Sequence, residues 1–154
     1  LQEVEGMARI VEEVEEGKEQ GRAITHASDS TTKKGAGQLI VQALHVGQTT
    51  QFDLPILPIF GESAEDISLQ VDMGLEILAA SKGKTSKEIY SLVDTHMTDS
   101  TAHNKDIASH LTELYNLDTP TGRVFCNTHT TVGFSVGMNS GSGWWRRACT
   151  WRRW

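Results

Sequence analysis

Three apolar runs follow one another so closely that the connections between them leave little choice of topology. Residues 23–28 (AITHAS), 38–46 (QLIVQALHV) and 51–60 (QFDLPILPIF) are rich in β-formers. Polar turn clusters separate them, DSTTKKG over 29–35 and GQTT over 47–50. Connections this short cannot hold a crossover helix, so successive strands are predicted to pair antiparallel as a meander. Pro55 and Pro58 lack the N–H that a central strand donates, which puts the third strand at an edge.

A different period follows. Ser63 and Asp66 have the spacing of a capping box, and Ile67, Val71, Leu75 and Leu78 form a helical apolar stripe stopped by Lys82-Gly83-Lys84. Residues 89–97 (IYSLVDTHM) are predicted as a fourth strand ending at Thr98-Asp99-Ser100-Thr101. Ser100 or Thr101 can cap a second helix with the stripe Ile107, Leu111, Leu114, and residues 123–126 make a short fifth strand after the turn at 118–122. A strand reached through a helix usually runs parallel to its partner. The expected fold is therefore α/β, a mixed sheet with an antiparallel meander on one side, parallel strands on the other and helices on its faces.

Ahead of this lies a segment with seven glutamates between Glu3 and Glu19, and Val4, Met7, Ile10, Val11 and Val14 at helical steps. The expectation is an acidic linker helix over residues 1–21, solvated, before a domain spanning 22–139. Residues 140–154 differ again: all four tryptophans and four arginines fall within the last eleven residues. The abrupt shift in composition is read as an unstructured tail arising from a gene-model error, with a basic aromatic anchor as the other account. The net charge of −6 becomes −10 once those four arginines are set aside, which argues against a broad nucleic-acid face on the body. Two cysteines, Cys126 and Cys149, cannot build a disulfide scaffold. No apolar run reaches the roughly 20 residues of a membrane helix, no signal peptide opens the chain, and a first residue of Leu1 suggests a fragment.

Two acids share a setting. Asp29 follows the first strand in Ser28-Asp29-Ser30-Thr31, and Asp99 ends the fourth in Thr98-Asp99-Ser100-Thr101. If those strands are neighbours, the carboxylates converge and repel, and a divalent cation relieves the conflict. Such ions can activate water and stabilise a leaving oxygen in phosphodiester chemistry. A strand-end turn or helix cap is the simpler account of Asp-Ser-Thr. Asp94 competes with Asp99, and its simpler account is a structural pair with His96 or a lysine. Cys126-x-x-His129 supplies two ligands where a structural zinc takes four. No phosphate loop or nucleophile elbow is present.

The order of these features resembles the RNase H-like catalytic core of DDE-type transposases, hAT-like elements most of all. Thr98-Asp99-Ser100 with Asn104, then Cys126-Asn127-Thr128-His129, match that family's second-acid and C-x-x-H motifs in order and approximate spacing, and the likeness spans residues 22–135. It implies a front part of a transposase catalytic domain, with Asp29 and Asp99 as the first two catalytic, metal-binding acids. Mg2+ or Mn2+ would be the cofactor, DNA the partner in the intact protein, and the nucleus the location, with self-association into a homo-oligomer left open. Cys126 and His129 would be supporting residues. Ser100 stands where the family has Asn, and no Asp or Glu follows His129 to serve as the third acid. The chain alone is therefore expected to be inactive. The alternative on the same scaffold is a non-catalytic, domesticated module that binds nucleic acid or protein.

Overall fold

The computed structural model describes residues 2–33, 37–61, 63–99, 106–118 and 122–126. The elements run α1 (Gln2–Glu19), β1 (Ile24–Lys33), β2 (Gly37–Val46), β3 (Thr50–Asp53), β4 (Leu57–Pro58), α2 (Ala64–Ala80), α3 (Ser86–Tyr90), β5 (Thr95–Asp99), α4 (Ile107–Leu114) and β6 (Gly122–Cys126). One mixed sheet holds all six strands in the order β3-β2-β1-β5-β6, with β4 also paired to β2. The meander is antiparallel, whereas β1–β5 and β5–β6 are parallel. The expected α/β mixed sheet is therefore present.

Proline chemistry shapes the edge. The third predicted strand is split at Pro55 into β3 and β4, both on the outer side of β2. Leu54 N–H donates to Gln42 C=O and Ile59 N–H to Gln38 C=O, each at 2.9 Å, so the edge keeps its partner on either side of the break. At the other end of the meander the expected turn at 29–35 is partly strand. β1 continues through Asp29 to Lys33, because every residue from Ile24 to Lys33 has a partner on β2.

The pleat separates two faces. Ile24, His26 and Ser28 stand opposite Val46, Leu44 and Gln42, and this face carries the apolar core. Residues from all four helices join that core, among them Val11 and Val14 of α1, Val71, Leu75 and Leu78 of α2, Ile89 of α3 and Leu111 of α4. The described helices thus share one face of the sheet, where the sequence suggested cover on both. Thr25, Ala27 and Asp29 lie on the other face, opposite His45, Ala43 and Val41.

Four sequence expectations change. First, α1 is not a solvated linker: Val11 and Val14 are fully buried, because its glutamates point outward and its short apolar stripe has a partner in α2. Ion pairs Lys82–Glu12 and Lys84–Glu15, both 2.7 Å, tie it to the turn after α2. The helix ends at Gly21, whose φ of +73° lets Arg22 N–H reach back to Gly17 C=O at 2.8 Å. Second, the predicted strand over 89–97 begins only at Thr95, and Ile89 and Tyr90 instead close a helix over 86–90. Thr85 accepts from Glu88 N–H at 3.3 Å while Glu88 accepts from Thr85 N–H at 2.8 Å, a capping box that overrides the β-rich composition behind it. Third, α4 starts after Asp106, which makes no side-chain cap bond; Ser100 and Thr101 lie outside the described residues. Fourth, Leu114 is 49% exposed and drops out of the predicted stripe. The Ser63–Asp66 capping box on α2 forms as expected, and residues 140–154 lie outside the described residues.

Candidate functional site

Parallel neighbours in a sheet present residues of equal register on the same face. The three β1–β5 pairs are Thr25↔Thr95, His26↔His96 and Ala27↔Met97, all with an offset of 70. Asp29 and Asp99 differ by that same 70. The β1–β5 pairs stop at Ala27↔Met97, two residues before the aspartates, so the structure shows the shared offset and the neighbouring strands but no β1–β5 pair at Asp29 or Asp99. Asp29 is 8% exposed and sits two residues beyond the last β1–β5 pair, still bonded to β2 opposite Val41. Asp99 is the last residue of β5, and its partner on the other side is Cys126, the last residue of β6. The condition that the first and fourth long strands be neighbours is met, although Asp29 lies inside its strand rather than at the end. His129 lies outside the described residues.

Asp94 has another task. It stands at the opposite end of β5, where its carboxylate pairs with Lys18 of α1 and accepts from Ile24 N–H at 2.9 Å. Partial burial pushes its pKa up, but the Ile24 N–H and the Lys18 charge outweigh this and hold it below the usual aspartate value. It joins α1 to the start of β1 and β5, so the lysine-paired account of this residue holds.

As donors, two carboxylates suit a hard cation such as Mg2+ or Mn2+, which accepts oxygen ligands and keeps several waters. Among the described residues no three His, Cys, Asp or Glu side chains cluster as a metal group.

The core side of the same strands carries a feature that motif reading missed. His26, Ser28, Gln42 and His96 are all at most 2% exposed. Gln42 Nε2 donates to Gln70 C=O at 3.4 Å, which leaves Gln42 Oε1 to accept from His26 Nε2–H at 2.9 Å. His26 Nδ1 is then an acceptor, facing His96 Nδ1 at 3.3 Å, so His96 carries its proton on Nδ1. The remaining ring nitrogen, His96 Nε2, accepts from Ser28 Oγ at 3.1 Å. Tyr90 Oη shares the His96 Nδ1–H at 3.3 Å. Proton directions run one way, from Ser28 through His96 and His26 to Gln42 and the α2 backbone. Burial lowers the His26 pKa to about 4, with the Gln42 bond opposing and the His45 charge adding to the fall. Burial and then His26 lower His96 well below the ordinary value. Both rings are neutral at pH 7. The sequence signal was parity: His26 and Ser28 occupy inward positions of β1, and His96 is 70 residues beyond His26.

α2 can lie over this chain because residue 74 is glycine. A Cβ there would meet Gln42 Nε2 at 2.4 Å.

No family model matches the chain, and no curated protein or solved structure does either. No described helix is long and apolar enough to cross a membrane.

Proposed function

We propose that this chain is the leading part of a metal-dependent DNA-processing domain of the DDE transposase kind, built on an RNase H-like sheet. The observation that carries the reading is the equality of two numbers: the β1–β5 register offset and the separation of Asp29 and Asp99 are both 70. Carried two residues past the last β1–β5 pair, that offset would set two aspartates from distant parts of the chain at one level. Cys126 beside Asp99 puts the start of the C-x-x-H motif at the same rim.

Asp29 and Asp99 would hold Mg2+ or Mn2+. Such an ion, when bound, supplies Lewis-acid activation of water and stabilisation of a leaving oxygen at a phosphodiester. The chain's own residues contribute charge and position: two oxygen donors on a rigid sheet, with the apolar core behind them. No Asp or Glu follows His129 to serve as the third acid of the family pattern, so on this reading strand cleavage and transfer would need the intact protein, with DNA as substrate and the nucleus as the site of action.

Mn2+ binding followed by water-proton relaxation tests the reading. The wild-type chain is expected to bind, and Asp29→Asn to bind about 10-fold more weakly or not at all. Equal affinity in the two proteins would instead favour the non-catalytic interaction module.

A further inference from the structure

We infer that the Ser28–His96–His26–Gln42 hydrogen-bond chain is a positioning device that locks β1 and β5 in register and so holds Asp29 level with Asp99. This rests on the metal reading above. β1 and β5 share only three Cα pairs, against ten between β1 and β2. Apolar packing opposes a one-residue slip, which turns core side chains outward, but being non-directional it resists a two-residue slip far less. A one-residue slip would move Asp99 to the core face, and a two-residue slip would carry it roughly 6.6 Å along the strand.

The hydrogen-bond chain forbids both. His26 faces His96 directly across the two strands, at the in-register position, and Ser28 reaches His96 from two residues further along β1. Each bond has an assigned donor, so a slipped register would confront lone pair with lone pair or strand a buried polar group. An unmade buried bond leaves its group to bear the full cost of desolvation. Gln42 extends the lock to β2 and, through Gln70, to α2. Asp94 fixes the lower end of the same strand pair by accepting from Ile24 N–H. What remains at the upper end is the step past Ala27↔Met97, where Asp29 and Asp99 stand. Ser28 is the last described contact of the chain before that step.

The test uses the full chain and four variants: Asp29→Asn, Ser28→Ala, Ser28→Thr and His96→Leu. Cooperative thermal melting establishes that each is folded. Nuclear Overhauser contacts across β1–β5 report register, and Mn2+ relaxation reports affinity. In the wild type, backbone contacts between residues 29 and 99 are expected. Ser28→Ala and His96→Leu should lose them and bind Mn2+ about 10-fold more weakly, the usual scale for losing a group that orients a ligand. Ser28→Thr, which restores the hydroxyl, should recover most of the affinity. Unchanged 29–99 contacts in folded Ser28→Ala and His96→Leu would overturn the inference, as would wild-type Mn2+ affinity in both. Should His96→Leu fail to melt cooperatively, Ser28→Ala against Ser28→Thr decides alone. An Asp29→Asn chain that binds Mn2+ as the wild type does removes the metal reading itself, while the 29–99 contacts still judge the lock.

Discussion

Protons in the buried chain have a single order, and that order depends on two neutral histidines. His26 takes up its proton near pH 4 in the fold but near 6.5 when unfolded. Its folded pKa is depressed, so the unfolded state binds the extra proton first as pH falls. Its contribution is complete above about pH 6.5 and drains away between there and pH 4. For His26 alone this amounts to about 3 kcal/mol, and His96 acts in the same direction. The neighbouring groups include His45 on β2 and Tyr90 on α3, neither of which supplies a compensating negative charge. Urea unfolding at pH 7.5 and pH 5 should therefore show a clear loss of stability on the acid side. His96→Leu should flatten that slope; an equal slope in this variant would show that other groups cause it. These residues were hard to find in sequence because neither histidine belongs to a motif. Asp29 and Asp99 were easier, as each heads a cluster of hydroxyl residues. The significance of their spacing was not legible, since a separation of 70 acquires meaning only once β1 and β5 are known to be neighbours with that offset.

Elements were read best where one period ran without interruption. The stripe of α2 and its capping box, and the edge position imposed by Pro55 and Pro58, all follow from local chemistry that tertiary contacts did not override. Ile89 and Tyr90 favour strands by composition, but Thr85 and Glu88 close a cap that carries them into a helix. β1 was cut short for a related reason: Asp-Ser-Thr-Thr is turn-like alone, but ten pairs with β2 hold it extended. α1 was misjudged since seven glutamates outweigh a few valines in composition, though not in packing. Two helical glycines separate propensity from packing. Gly6 of α1 has nothing within 4 Å of a built Cβ, so Gly6→Ala should stabilise by about 0.5–1 kcal/mol through helix propensity. Gly74→Ala gains the same propensity but drives a methyl group into Gln42, whose amide is held by His26 and Gln70. A net loss of about 1–3 kcal/mol is expected there. Chemical denaturation of both variants checks the contrast, and a stabilised Gly74→Ala would mean that Gln42 is not held as described.

Charge organises the molecule as a whole. Residues 1–143 carry −10, and α1 alone presents a run of glutamates to solvent. Such a body repels a phosphate backbone, so any DNA contact it makes must pass through a cation or through basic residues elsewhere. On the proposed reading, two aspartates at one level would add local repulsion to the global excess, and a divalent ion would relieve both. Binding that favours the folded state raises apparent stability by mass action, by about 1.4 kcal/mol when free metal is ten times its dissociation constant. For a chain of this size that corresponds to a rise in Tm of roughly 3–6 °C. Mg2+ should produce the rise in the wild type and not in Asp29→Asn, and NaCl at matched ionic strength separates specific binding from screening. A rise of equal size in both proteins, or one reproduced by NaCl, would assign the effect to the acidic surface at large. A rise confined to the wild type would tie the relief of that charge to Asp29 and the proposed site beside it.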